Sequence, residues 1–134
     1  MDPIEEEDKL PELYSKSSIM IISVITSTVF GAILYSINLY RVNKRQYILF
    51  TMAGAILYQL LGARLAAGIA TSQEFLVYMG LNFVGGTLIL GLWDLQIGRI
   101  PHRPRNTLGV FLIILIILLI LMGLNYLGVT NLPE

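Results

Sequence analysis

Apolar residues fall along the chain in four long runs separated by short polar connections. The runs cover residues 18–40, 47–70, 75–97 and 107–128, each 22 to 24 residues long. A helix needs about 20 residues to cross ~30 Å of hydrocarbon. Inside a bilayer the backbone finds no water, so a spanning run must satisfy its own hydrogen bonds as a helix. The pattern therefore predicts four transmembrane helices. Helices of a water-soluble bundle keep a polar face at every turn, whereas "VFLIILIILLILM" at 110–122 has no polar residue at all. The first run follows an acidic stretch, where a cleaved secretory signal has a basic one. It also exceeds the usual apolar signal core of ~7–15 residues, so it is expected to stay as a span.

The connections set the orientation. Arg41, Lys44 and Arg45 lie between the first and second runs, and Arg99, Arg103 and Arg105 between the third and fourth. The N-terminal stretch "MDPIEEEDKLPELYSK" holds six acids and two lysines, while the turn "TSQE" and the C-terminal tail hold no basic residue. The positive-inside rule places the two basic loops in the cytoplasm. Four spans then put both termini outside. The expected fold is all-α, an integral membrane four-helix bundle of two helical hairpins, N-out/C-out. An acidic extracytoplasmic tail at 1–17 precedes the transmembrane domain at 18–128, and a short extracytoplasmic tail at 129–134 ends it. In a bacterium the site is the inner membrane, with both termini periplasmic. Tyr14, Tyr40, Tyr47, Trp93 and Tyr126 fall near the predicted interfaces, where amphipathic rings are favoured.

Composition narrows the chemistry. The 134 residues are 55% hydrophobic and 13% charged, with mean hydropathy +0.72, against ~25% charged in soluble domains. Net charge is zero, so no global field attracts nucleic acid. The absence of cysteine excludes disulfides, thiol redox catalysis, zinc–cysteine sites and iron–sulfur clusters. The one histidine, His102, sits in "GRIPHRPRNTLG" with no second metal ligand near it. No cofactor is expected. No nucleophile–base pair stands out, so the chain is not read as an enzyme.

Helices in lipid associate through close contact and polar pairs. Ser23, Ser27 and Gly31 recur at four-residue spacing, beside a second row of Thr28, Ala32 and Ser36. Gly62, Ala66 and Ala70 form another row, and Asn82, Gly85 and Gly86 a third. These are the expected helix-packing residues. Residues 30–45 also align loosely with 84–99, as the parallel repeats of some transporters do.

Four polar residues stand out inside apolar runs: Gln59, Arg64, Asn82 and Asp94. Arg64 lies about six residues, or ~9 Å, from the outer end of its run. Asn82 should sit at similar depth on the returning helix, with Glu74 in the turn between and Gln59 deeper. Arg64, Glu74, Asn82 and Gln59 make a candidate polar cluster, which reads as a snorkelling arginine that locks the hairpin or as a site for an anion or head group. At the other face, Asp94 and Arg99 form a candidate ion pair, with Arg41 and Arg45 as other partners.

"LGARLAAG" followed by "GLNFVGGTLILG" looks like part of the fluoride-channel pattern, in which Gly-Ala and Arg precede a helix bearing Asn-x-x-Gly. Arg64, Asn82 and Gly85 stand at those positions. The motif runs are the second and third here, where that family uses the first and second, and no Thr- and Phe-rich break follows. A broader likeness covers most of the chain. "PELYSKSSIMIISVITSTVFGAILYSINL", "RVNKR", "NFVGG" and "RPRNTLGVFLI" resemble small, uncharacterised four-span inner-membrane proteins of Gram-negative bacteria. Tyr14, Ser15, Lys16, Phe30, Gly31, Asn38, Asn82 and Gly85 carry the resemblance, which implies a bacterial membrane protein and no activity. The expected function is a non-catalytic membrane component, an accessory subunit, scaffold or assembly factor of a larger complex. Its partners would be the lipid bilayer and other membrane subunits or further copies of itself. The alternative is an oligomeric small-ion channel or transporter using Arg64 and Asn82.

Overall fold

The computed structural model describes residues 3–69 and 72–128. A short helix α1 (Pro3–Glu7) leads to a two-residue strand β1 (Glu12–Leu13). Helices α2 (Lys16–Ile25) and α3 (Thr28–Arg41) follow. A tight 3-10 turn (Arg45–Tyr47) opens α4 (Ile48–Ala67), and α5 (Glu74–Gln96), strand β2 (Arg103–Pro104) and α6 (Leu108–Tyr126) complete the chain. Three helices are long and apolar enough to cross a membrane: Arg45–Ala67, Glu74–Gln96 and Leu108–Tyr126. They fall on the second, third and fourth apolar runs. Residue 70 of the second run, residue 71 of the turn and the tail at 129–134 lie outside the described residues.

The first run corrects the expectation of a single helix over 18–40. It is two helices of 10 and 14 residues, ~15 and ~21 Å long, each too short for ~30 Å of hydrocarbon. They fold back on one another. In one continuous helix Ser23 and Gly31 would stand ~12 Å apart along the axis. Here a Cβ placed on Gly31 would come 1.8 Å from Ser23 Oγ and 3.3 Å from the Ile19 carbonyl.

The break has a local cause in "ITST". Thr26 Oγ1 donates to the Ile22 carbonyl at 2.6 Å, closing α2. Ser27 is extended and its hydroxyl accepts from the Phe30 N–H at 3.4 Å, capping α3. Serine and threonine compete for backbone groups in this way, which favours helix starts over helix interiors. Ser15 caps α2 likewise, accepting from the Ser18 N–H at 3.1 Å.

The hairpin returns the chain to its own starting end, which corrects a second expectation. The N-terminal tail does not lie across the molecule from the basic loops. Strand β1 pairs in parallel with β2, the Arg103 N–H donating to the Pro11 carbonyl at 2.9 Å and the Arg105 N–H to the Leu13 carbonyl at 2.8 Å. Asn38, near the end of α3, holds the same strand from the other side. Its Oδ1 accepts from the Tyr14 N–H at 2.8 Å and its Nδ2 donates to the Tyr14 carbonyl at 2.9 Å. The start of α2, the end of α3, the start of α4, the end of α5 and the start of α6 thus share one end of the molecule. Among the described residues the architecture is a helical hairpin plus three long helices, where a four-span bundle of two equal hairpins was expected.

The core lies between the hairpin and α5, around Ile19, Ile22, Ala32, Tyr35, Leu39 and Trp93. Helix α6 buries no residue. It touches the rest along one flank, with Val110, Phe111 and Ile114 against the core.

Candidate functional site: a cavity at the hairpin tip

Small residues let the hairpin wedge against α5. A Cβ on Gly86 would come 2.8 Å from Met20 Sδ and 3.1 Å from Ser23 Cβ, and one on Gly85 would come 2.1 Å from Thr28 Oγ1 and 2.8 Å from Tyr58 Cε1. Gly85, Gly86, Gly31 and Ser23 therefore form the junction of α2, α3 and α5. Ser23 Oγ is satisfied within its own helix by donating to the Ile19 carbonyl at 2.8 Å. Helices α4 and α5 meet through Tyr58, whose hydroxyl donates to the Leu81 carbonyl at 2.7 Å, and through Gly62, where a Cβ would lie 3.3 Å from Leu81 Cδ1.

This wedge leaves a cavity of about 280 Å³ between the start of α3, α4 and α5. Thr28, Thr51, Tyr58, Gly54 and Gly85 line it with Ala55, Ile89 and Leu92, and Phe50 and Leu88 stand at its rim. Thr28 and Thr51 are 2% and 4% exposed, and neither hydroxyl has a hydrogen-bond partner. A buried polar atom left unpaired costs about 1–3 kcal/mol. Ser36 Oγ and Arg103 Nε, away from this cavity, are buried without partners in the same way. Thr51, Ala55, Tyr58 and Gly62 share one face of α4 at spacings of four, three and four, a period that exposes the stripe in the sequence. Thr51 and Tyr58 were not among the expected site residues.

A polar layer closes the common end. Lys16 Nζ pairs with Asp94 Oδ1 at 2.5 Å and stands 6.0 Å from the Trp93 ring. Tyr35 donates to Gln96 Oε1 at 2.8 Å, and Lys44 donates to the Gln96 carbonyl. Arg103 bridges Asp8 at 3.2 Å and Glu12 at 3.4 Å, and Arg105 lies 4.8 Å over the Tyr14 ring.

The expected site residues divide. Ser23, Gly31, Gly85 and Gly86 come together as described. Ser27 is a helix cap at the hairpin bend. Gly62 and Ala66 are both buried on α4. Asp94 is not paired with Arg99. Gly98 has a φ of +59° and its N–H donates back to the Trp93 carbonyl at 2.8 Å, so the chain turns out of α5 there and carries Arg99 away, leaving Asp94 to Lys16. The cluster of Arg64, Glu74, Asn82 and Gln59 is not assembled as an ion-paired group. Arg64 is exposed beside Leu57, Leu60, Leu61, Ala63 and Ala67 of its own helix. No ion pair joins it to Glu74 among the described residues. Asn82 is 6% exposed, and its Oδ1, like Gln59 Oε1, is buried without a partner. Depth was the basis for grouping Arg64 with Asn82. Arg64 lies two residues from both Gly62 and Ala66, hence ~200° around the helix from that buried face.

Among the described residues no group of three His, Asp or Glu side chains is placed to hold a metal ion. Comparison with protein-family models, curated proteins and solved structures gives no match.

Proposed function

We propose that the protein is a non-catalytic membrane component, an accessory subunit, scaffold or assembly factor of a larger complex in a bacterial inner membrane. The observation that carries the reading is α6. None of its 19 residues is fully buried within the chain, and away from the flank of Val110, Phe111 and Ile114 its surface is available to other helices and to lipid. The interior polar groups support the same view. Most of those with partners join one helix to another or hold the β1–β2 tail. In this reading α2 and α3 form a re-entrant hairpin that enters and leaves the bilayer at one face. Irregular backbone at membrane depth is tolerated where protein covers it, and here Thr28 at the bend is buried against Gly85.

The orientation proposed is N-in. Lys9, Lys16, Arg41, Lys44, Arg45, Arg99, Arg103 and Arg105 belong to the common end, against Arg64 near the other. The positive-inside rule puts that end in the cytoplasm, and α6 then carries the chain out. Purification in a mild detergent with mass measurement of the particle tests the role. A stable multi-protein assembly is expected. A homo-oligomer alone that conducts ions in vesicles would contradict it.

A further inference from the structure

Among the described residues Arg64 and Glu74 are the only charged groups at the end away from the basic loops, and they are not paired with each other. Glu74 lies seven residues, about two turns, before Leu81, which packs on Gly62. It therefore starts α5 on the side facing α4. Arg64 stands on the opposite side of α4, ~200° from that contact. There it is exposed in a groove of about 470 Å³ with Leu57, Leu60, Leu61, Ala63 and Ala67. The groove is polar at one end and apolar at the other. Helix α4 has 20 residues, ~30 Å, the thickness of the hydrocarbon layer. Arg64 is three residues, ~4.5 Å, from its end at Ala67, within reach of the head groups for so long a side chain. Leu57 lies seven residues, ~10 Å, further towards the middle. Leu57, Leu60 and Leu61 are 58%, 61% and 56% exposed, at the depth of acyl chains.

We propose that this groove binds one anionic phospholipid, its phosphate on the Arg64 guanidinium and an acyl chain along Leu61, Leu60 and Leu57. A guanidinium offers phosphate oxygens a planar fork of donors. The order along α4, cation first and then leucines towards the mid-plane, is the order of head group and chain in the nearer leaflet. A carboxylate on a partner helix would supply the same charge, but it would bring a second ionised side chain into the edge of the bilayer, where lipid phosphate already stands. The proposal rests on α4 crossing the membrane and is independent of the subunit role.

The test is photo-crosslinking with phosphatidylglycerol that carries a diazirine in its acyl chain, in native membranes and again in purified protein, with the adducts mapped by peptide mass spectrometry. Leu119 is the internal reference. It lies seven residues from the end of α6 at Tyr126, as Leu60 does from Ala67, is 58% exposed, and belongs to a helix with no charged residue. Adducts should concentrate at Leu57, Leu60 and Leu61 over Leu119. Arg64→Gln should lower them about three- to tenfold, the loss of one charge-assisted contact, and leave Leu119 unchanged. Arg64→Lys, which keeps the charge, should retain most of the signal. Thermal unfolding shows that each variant is folded, and the ratio of Leu60 to Leu119 in the unmodified protein needs no variant at all. Equal labelling of Leu60 and Leu119 overturns the proposal. So does a Leu60 adduct that folded Arg64→Gln preserves. An adduct that appears only after purification assigns the groove to a protein partner and overturns it as well.

Discussion

Single side chains decide how closely the helices approach. Gly85 and Gly91 sit on the same helix and differ only in what faces them. At Gly85 a methyl would come 2.6 Å from Thr28 Cγ2, and at Gly91 it would meet nothing within 4 Å. Gly85→Ala should destabilise the protein by about 1–3 kcal/mol through overpacking, while Gly91→Ala should leave stability unchanged or raise it. Thermal unfolding in detergent distinguishes the two. Asn38 offers a second test. Asn38→Leu would strand the Tyr14 N–H and carbonyl, at about 1–3 kcal/mol for each buried group, and should expose the tail to protease in limited digestion. The Lys16–Asp94 pair is different, because both side chains are largely exposed. Asp94→Asn should change stability by less than about 1 kcal/mol. At this scale the small residues and their spacing were legible in the sequence. Which of them touch was not, because that depends on where the first run bends.

At the scale of elements, three of the four apolar runs were legible as long helices. Hydrophobic length failed on the first, since a largely apolar run of 23 residues serves equally for one span and for two half-length helices packed together. The discriminating signal was chemical. Thr26, Ser27 and Thr28 offer hydroxyls at mid-run, and two of them bond to backbone as a stop and a start. Read only as small packing residues, they hide the bend. The elements also differ in how much they lose by truncation. Leu39 on α3 is wholly buried and Leu119 on α6 is 58% exposed. Leu39→Ala should cost about 2–5 kcal/mol through the cavity left behind, and Leu119→Ala much less, as denaturation midpoints would show. Among the described residues the candidate polar cluster has no Arg64–Glu74 ion pair, for a geometric reason of the same order. Depth along a helix follows from counting residues, but direction around it needs the buried face, and Arg64 points off that face.

For the whole molecule, the bend inverts the arrangement that run counting gave. With one run folded back, the acidic tail joins the basic loops, and Asp8 and Glu12 meet Arg103. Two consequences follow together: five of the helix termini gather at one polar end, and strand β1 shares the side of both basic connections. The chain has no cysteine, so single cysteines can report sidedness without background. The direct measurement is labelling of Lys9→Cys, Gln46→Cys, His102→Cys and Gln73→Cys by a membrane-impermeant maleimide, in intact cells and after permeabilisation. Positions 9, 46 and 102 should be protected until the membrane is opened, and position 73 should label in intact cells. Labelling of position 9 alongside position 73, with 46 and 102 protected, would contradict the hairpin and restore a fourth span.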